Sequence, residues 1–193
     1  MDLNDLRSAA AACEQCELHK NRVMSVFSKG NPNSKVMICG MCPGPDENNI
    51  KNDSGLPFVG RAGKLLDTIL NDVDLTLDDV YITNVVKCYV KPGITLKKEW
   101  TAQCIQFLMA EVALIEPRAV VALGTDAAKA ILNVNSTSLA ALRYKFYNVL
   151  GDDIKTIVTY HPSYFLRGGG KDHPHYNRII EDLNQVKLII KND

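Results

Sequence analysis

Six cysteines are the residues whose type and spacing first point to chemistry. Cys13 and Cys16 form a C-x-x-C pair near the start, and Cys88 and Cys104 stand across a loop and the beginning of a helical stretch. Thiolates are soft ligands, and four together suit zinc or an iron–sulfur cluster. Cys39 and Cys42 form a second C-x-x-C. Spacing alone allows these two to join Cys13 and Cys16 around zinc, or to act as a redox dithiol. Against both, Cys39 ends an apolar run that should be buried, where a free cysteine behaves as a small hydrophobe. Spacing thus favours a metal site using Cys13 and Cys16 and leaves the remaining ligands open.

A second set of chemically capable residues follows short apolar runs. Gly40 follows Val36-Met37-Ile38-Cys39, Thr83-Asn84 follows Val80-Tyr81-Ile82, Gly124-Thr125 follows Ala119–Leu123, and His161-Pro162 follows Thr156–Tyr160. Each run reads as a buried strand. Between them lie helical patterns over Arg61–Val73, Lys98–Ile115 (ended by Pro117) and Asp126–Leu132. A short helix over residues 2–12, with Asp2 or Asn4 as N-cap, comes first, and one over Tyr176–Ile190 comes last. Strands alternating with helices predict an α/β fold, a three-layer α/β/α sandwich around a central parallel four-stranded sheet. In such a sheet ligands bind at the carboxyl ends of the strands. Gly40 onward, Asn84 and His161 therefore converge on one crevice.

The bulk composition fits this frame. A chain of 193 residues with 46% hydrophobic residues and one tryptophan suits one soluble domain, spanning residues 1–193. Lys plus Arg and Asp plus Glu are 22 each, which excludes a histone-like polycation but not a local basic groove. Residues 1–12 lack the apolar core of a signal peptide, and no window reaches the roughly 18 apolar residues of a membrane span. The expectation is an intracellular, cytoplasmic monomer without membrane contact, whose cysteines are free, metal-bound or catalytic.

Several stretches resemble the family 4 uracil-DNA glycosylases and their relatives. They are Cys13–Leu18, Gly40-Met41-Cys42-Pro43-Gly44, Gly55–Gly63, Thr83–Cys88, Cys104, Leu123-Gly124 and His161–Arg167, in the family's order and over nearly the whole chain. The resemblance implies a [4Fe–4S] cluster on Cys13, Cys16, Cys88 and Cys104, with Cys39 and Cys42 free. It implies that Phe58 stacks on an extruded base, that Asn84 bonds its edge, and that His161 donates to the oxygen gaining charge. Gly40, Met41 and Cys42 would border the base through the turn that runs to Gly44. Such an enzyme removes the base from the stack and stabilises the departing anion with preorganised donors. Phe165, Leu166 and Arg167 are then the candidate DNA wedge, with Gly168-Gly169-Gly170 giving the loop freedom.

The chain departs from the family where Met41 replaces the usual Glu, which positions water or offsets the sugar cation. Glu47 or Asp46 is expected to take that catalytic task. The stretch Asn48–Ser54 is also longer than usual. No histidine lies between Cys88 and Cys104, so the covalent abasic-site chemistry of a related subgroup is not expected. Three functions stand against one another. One is a glycosylase releasing uracil or another deaminated base from DNA in base-excision repair. The second is a DNA- or polymerase-associated binding module that keeps the fold without the activity. The third, a thiol oxidoreductase using Cys39 and Cys42, finds less support.

Overall fold

Val36–Gly40 (β2), Val80–Asn84 (β3), Ala119–Leu123 (β4) and Lys155–Thr159 (β5) are short runs rich in β-branched and apolar residues, buried almost throughout. Burial on both faces is the mark of parallel strands covered by helices. In the computed structural model, which describes residues 1–49, 55–135 and 138–191, they pair in parallel. The sheet order is β1-β3-β2-β4-β5.

The fifth strand corrects the four-stranded expectation. β1 (Ser28–Gly30) lies antiparallel on the edge, with Ser28 opposite Thr83 and Gly30 opposite Tyr81. Its Ser-Lys-Gly sequence has no apolar periodicity, so only backbone pairing reveals it.

Alternate strand residues face opposite layers. Met37, Cys39, Tyr81, Val120, Ala122 and Val158 pack under α1 (Leu3–Ala12), α3 (Lys98–Ile115) and α4 (Gly124–Leu132). Val36, Ile38, Ile82, Val121 and Ile157 pack under α2 (Arg61–Asp72), the short α6 (Pro162–Leu166) and α7 (Tyr176–Lys191). The one-turn α5 (Leu139–Leu142) completes the elements. This is the predicted three-layer sandwich.

Local signals set several ends. Asp2 caps α1, its Oδ1 accepting from the Asn4 and Asp5 amides at 2.8 and 2.9 Å. α4 begins at Gly124 rather than at Asp126. Residues 162–166, which carry no helical periodicity of their own, form α6 with Pro162 in its first turn. From residue 50 to 54, the long stretch noted in the sequence lies outside the described residues. No helix among the described residues is long and apolar enough to cross a membrane.

Candidate active site

The carboxyl ends of the four parallel strands form one edge, and each delivers residues to the same cluster. Gly40 and Asn84 are register partners at the ends of β2 and β3. Beside them β4 leads into Gly124 and β5 into Tyr160 and His161. A β-carbon on Gly40 would overlap Asn84 Oδ1 and the Phe58 ring. Gly124 has φ +83°, and a β-carbon there would stand 3.0 Å from His161 Cβ. Glycine at both places lets backbone pack directly against the site.

Phe58 enters from the loop before α2 with φ 55°, a left-handed conformation unfavourable for an aromatic residue. Its neighbours hold it there. Lys29 Nζ donates to the Phe58 carbonyl at 2.9 Å, the Phe58 amide donates to Glu47 Oε1, and Gly63 leaves room for that carbonyl. The ring is 4% exposed, and its centroid lies 5.8 Å from that of His161.

Asn84 and His161 supply two donors of different origin. Asn84 is 1% exposed, and its Nδ2 has no hydrogen-bond partner among the described residues. A buried amide donor left unpaired costs about 1–3 kcal/mol, so an acceptor entering the crevice gains by meeting it. His161 Nδ1 accepts from the Ser163 amide at 3.1 Å and lies 2.8 Å from Ser163 Oγ. An accepting Nδ1 puts the ring proton on Nε2. Burial pushes the His161 pKa down to about 4, against the opposing influence of Asp126. The ring is therefore neutral at pH 7 and keeps an N–H to donate.

The two carboxylates expected to serve the water lie on the loop after Gly44. Glu47 Oε2 accepts from the Gly44 amide at 2.6 Å, Oε1 accepts from Phe58, and the Val59 amide also bonds this side chain. Burial raises its pKa, while these amides and Lys29 oppose the shift. Glu47 thus staples the Gly40–Gly44 turn to the Phe58 loop through three backbone amides. Asp46 lies against Gly60, the residue capping α2. Met41 is partly buried against the α1/α3 core, with its carbonyl accepting from the Val86 amide at 2.9 Å. The exposed Asp126, in the first turn of α4, is the carboxylate whose charge acts on both His161 and Cys42.

Cys13, Cys16, Cys88 and Cys104 line one cavity between α1, the segment after β3 and α3. Arg22 Nη1 donates to Cys88 Sγ at 3.0 Å, and the Lys87 amide donates to Cys104 Sγ at 3.3 Å. Donors aimed at sulfur favour thiolates, whereas burial alone raises the Cys88 pKa and pushes Cys104 up to about 11. Among the described residues no three His, Cys, Asp or Glu side chains converge on a point that would hold one ion. Four cysteine sulfurs lining one cavity are a donor set that suits zinc or an iron–sulfur centre. Cys39 is fully buried with its thiol pushed up to about 12, and Cys42 to about 11, both chiefly by burial. That environment disfavours the thiolate at both positions of the second C-x-x-C.

The model of the Uracil DNA glycosylase superfamily matches residues 27–184 of this chain. The chain belongs to that superfamily. A Type-4 uracil-DNA glycosylase of Thermotoga maritima is 37% identical over 182 residues, covering 94% of this chain and 91% of the relative. Type-4 enzymes of Pyrobaculum aerophilum (35% over 172 residues) and Archaeoglobus fulgidus (36% over 166) cover 86% and 83% of this chain, and 86% and 81% of themselves.

For a member of this superfamily the segment after His161 holds a correction. Phe165 is fully buried among Tyr160, Tyr176 and His173, so in this structure it packs in the α2/α7 core and not at the surface. Leu166 is partly exposed and Arg167 exposed, so those two reach the surface, beside Tyr164. Two buried ion pairs escaped sequence reasoning. Lys87 Nζ meets Glu111 Oε2 at 2.5 Å under β3, and Arg143 meets Asp182 in a bidentate pair at 3.0 Å, with Thr159 Oγ1 donating to Asp182 at 2.5 Å. The available signal was charge in apolar company: Lys87 follows Val85-Val86, and Glu111 falls on the buried face of α3.

Proposed function

We propose that this protein is a uracil-DNA glycosylase, hydrolysing the N-glycosidic bond of uracil or another deaminated base in DNA during base-excision repair. The observation that carries the reading is the pairing of an unsatisfied Asn84 Nδ2 with a neutral His161 bearing its proton on Nε2. Two donors suit a base edge that presents carbonyl oxygens. When the C1′–N1 bond breaks, its electron pair passes to the uracil ring and spreads onto N1 and the adjacent oxygen. His161 Nε2–H donates to that oxygen and Asn84 holds the far edge, interactions that strengthen as charge develops. Phe58 stacks on the extruded base from its fixed left-handed perch. Water adds to C1′ and gives its proton to solvent. Asp126 offsets the positive charge on the sugar in place of the Glu that Met41 replaces, while Glu47 keeps the turn and Phe58 in position.

Cys13, Cys16, Cys88 and Cys104 would hold a [4Fe–4S] cluster, which would tie together the segments that carry them. Leu166 and Arg167 meet DNA at the crevice mouth. The test is incubation with a uracil-containing oligonucleotide followed by alkali. Strand nicking at the uracil position supports the reading, and an intact strand after hours at equimolar protein overturns it. Met41 favours a second reading, a binding module of the same fold, for which tight binding without nicking is the signature.

A further inference from the structure

Lys87 is buried to 1% and spends its ammonium protons on three acceptors. They are Thr83 Oγ1 at 2.6 Å, the Asn84 carbonyl at 2.8 Å and Glu111 Oε2 at 2.5 Å. Glu111 is fully buried, and its other oxygen lies 2.9 Å from both Tyr81 Oη and Thr83 Oγ1. The pair therefore grips the end of β3, at the residue whose side chain carries the orphan donor. The same helix grips it a second time, because Cys104 Sγ, two turns before Glu111 on α3, accepts from the Lys87 amide. Stability alone is a weak explanation for a buried ion pair. Well-packed apolar residues in place of a buried ion pair are commonly as stabilising or more so.

We infer that Lys87 and Glu111 are positioning residues that set the rotation of Asn84 and hence the choice of base. The inference rests on the proposed reading of Asn84 as the base-edge donor. In the absence of the pair, the β3 exit keeps its main-chain bonds from Val85 and Val86 to Gly40 and Met41. What it loses is the clamp on the Asn84 carbonyl, so the carboxamide no longer has one direction.

The test is a double-mutant cycle between Lys87→Met/Glu111→Leu and Asn84→Ala, with Glu111→Gln as a second, shape-conserving variant. Two quantities are read for each protein. One is single-turnover base release. The other is the affinity ratio for an oligonucleotide with a non-hydrolysable uracil nucleotide over the same strand with thymine, which needs no catalysis. The apolar pair should keep the absorption near ~400 nm of a thiolate-bound cluster, at a lower melting temperature because the Tyr81 and Thr83 hydroxyls lose Glu111 as acceptor. It should lower both rate and affinity ratio roughly 10-fold or more, and Asn84→Ala added to it should cost little further, since residues acting through one another are non-additive. Glu111→Gln should give a smaller loss of the same kind. Additive effects in the cycle, or an unchanged affinity ratio in both variants, overturn the inference. If the apolar pair does not fold, a Glu111→Gln protein with full uracil preference overturns it equally. A wild type that never releases base but still prefers uracil would instead sink the catalytic reading and leave this one standing.

Discussion

His161 provides the most exposed point of the mechanism. The structure gives it one proton, on Nε2, because Nδ1 accepts from the Ser163 amide at 3.1 Å. Replacing it by alanine removes a preorganised donor at the oxygen that gains charge. Losing one such donor costs about 2.7–4 kcal/mol, or roughly 100- to 1,000-fold in rate. The loss should appear in the single-turnover rate and leave DNA affinity nearly untouched, since the contact strengthens in the transition state. Nδ1 also caps α6, so a thermal melt on the same protein separates rate from fold. The pH profile sharpens the argument. Burial holds the His161 pKa at about 4, well under the ordinary 6.5, so the ring stays neutral as pH falls through 6.5. The wild-type rate should therefore show no inflection belonging to His161 near 6.5. The unfolded chain binds this proton below 6.5 while the folded chain does not, so stability falls with decreasing pH between 6.5 and about 4. An inflection near 6.5 that disappears in His161→Ala would refute the neutral-donor account, as would equal losses of rate and affinity.

Glu47→Gln should lower the melting temperature by the equivalent of about 1–3 kcal/mol, because an NH2 group then faces an amide donor in a half-buried site. Asp126→Asn should instead slow single-turnover release without moving the melt, and Asp126→Asn at wild-type rate would remove it from the mechanism. Arg143→Met should destabilise by about 3–5 kcal/mol by leaving Asp182 buried without its partner, a loss measurable by urea unfolding. The anaerobically purified protein should absorb near ~400 nm, and Ala at Cys13, Cys16, Cys88 or Cys104 should bleach it. A colourless protein with one zinc, or bleaching by Cys39→Ala, would contradict the ligand set.

Most of the fold was legible because its parallel strands are short runs of apolar and β-branched residues and its main helices are amphipathic or apolar with clear ends. Ser28–Gly30 was not, since an edge strand of Ser, Lys and Gly is defined by what it pairs with. The crevice was legible for a related reason. Gly40, Asn84 and His161 sit at strand ends, and a parallel sheet brings such ends together whatever the loops do. Roles that depend on who faces whom were harder to read. The bonds that Glu47 accepts from the Gly44 and Phe58 amides could not be read from its place in the sequence. Phe165 looked like a wedge because a neighbour of His161 is near the mouth, yet one helical turn at α6 rotates it into the core. Lys87 and Glu111 are far apart in sequence, and only the packing of α3 on the sheet makes them partners.

The most direct test of the central claim is single-turnover release of free uracil from one defined oligonucleotide, compared between wild type and Asn84→Ala. The account predicts measurable release by wild type and a loss of both rate and uracil preference in Asn84→Ala, because an empty pocket edge no longer discriminates. Release that is equally fast and equally selective in Asn84→Ala, or no release from wild type with its absorption near ~400 nm intact, would contradict it.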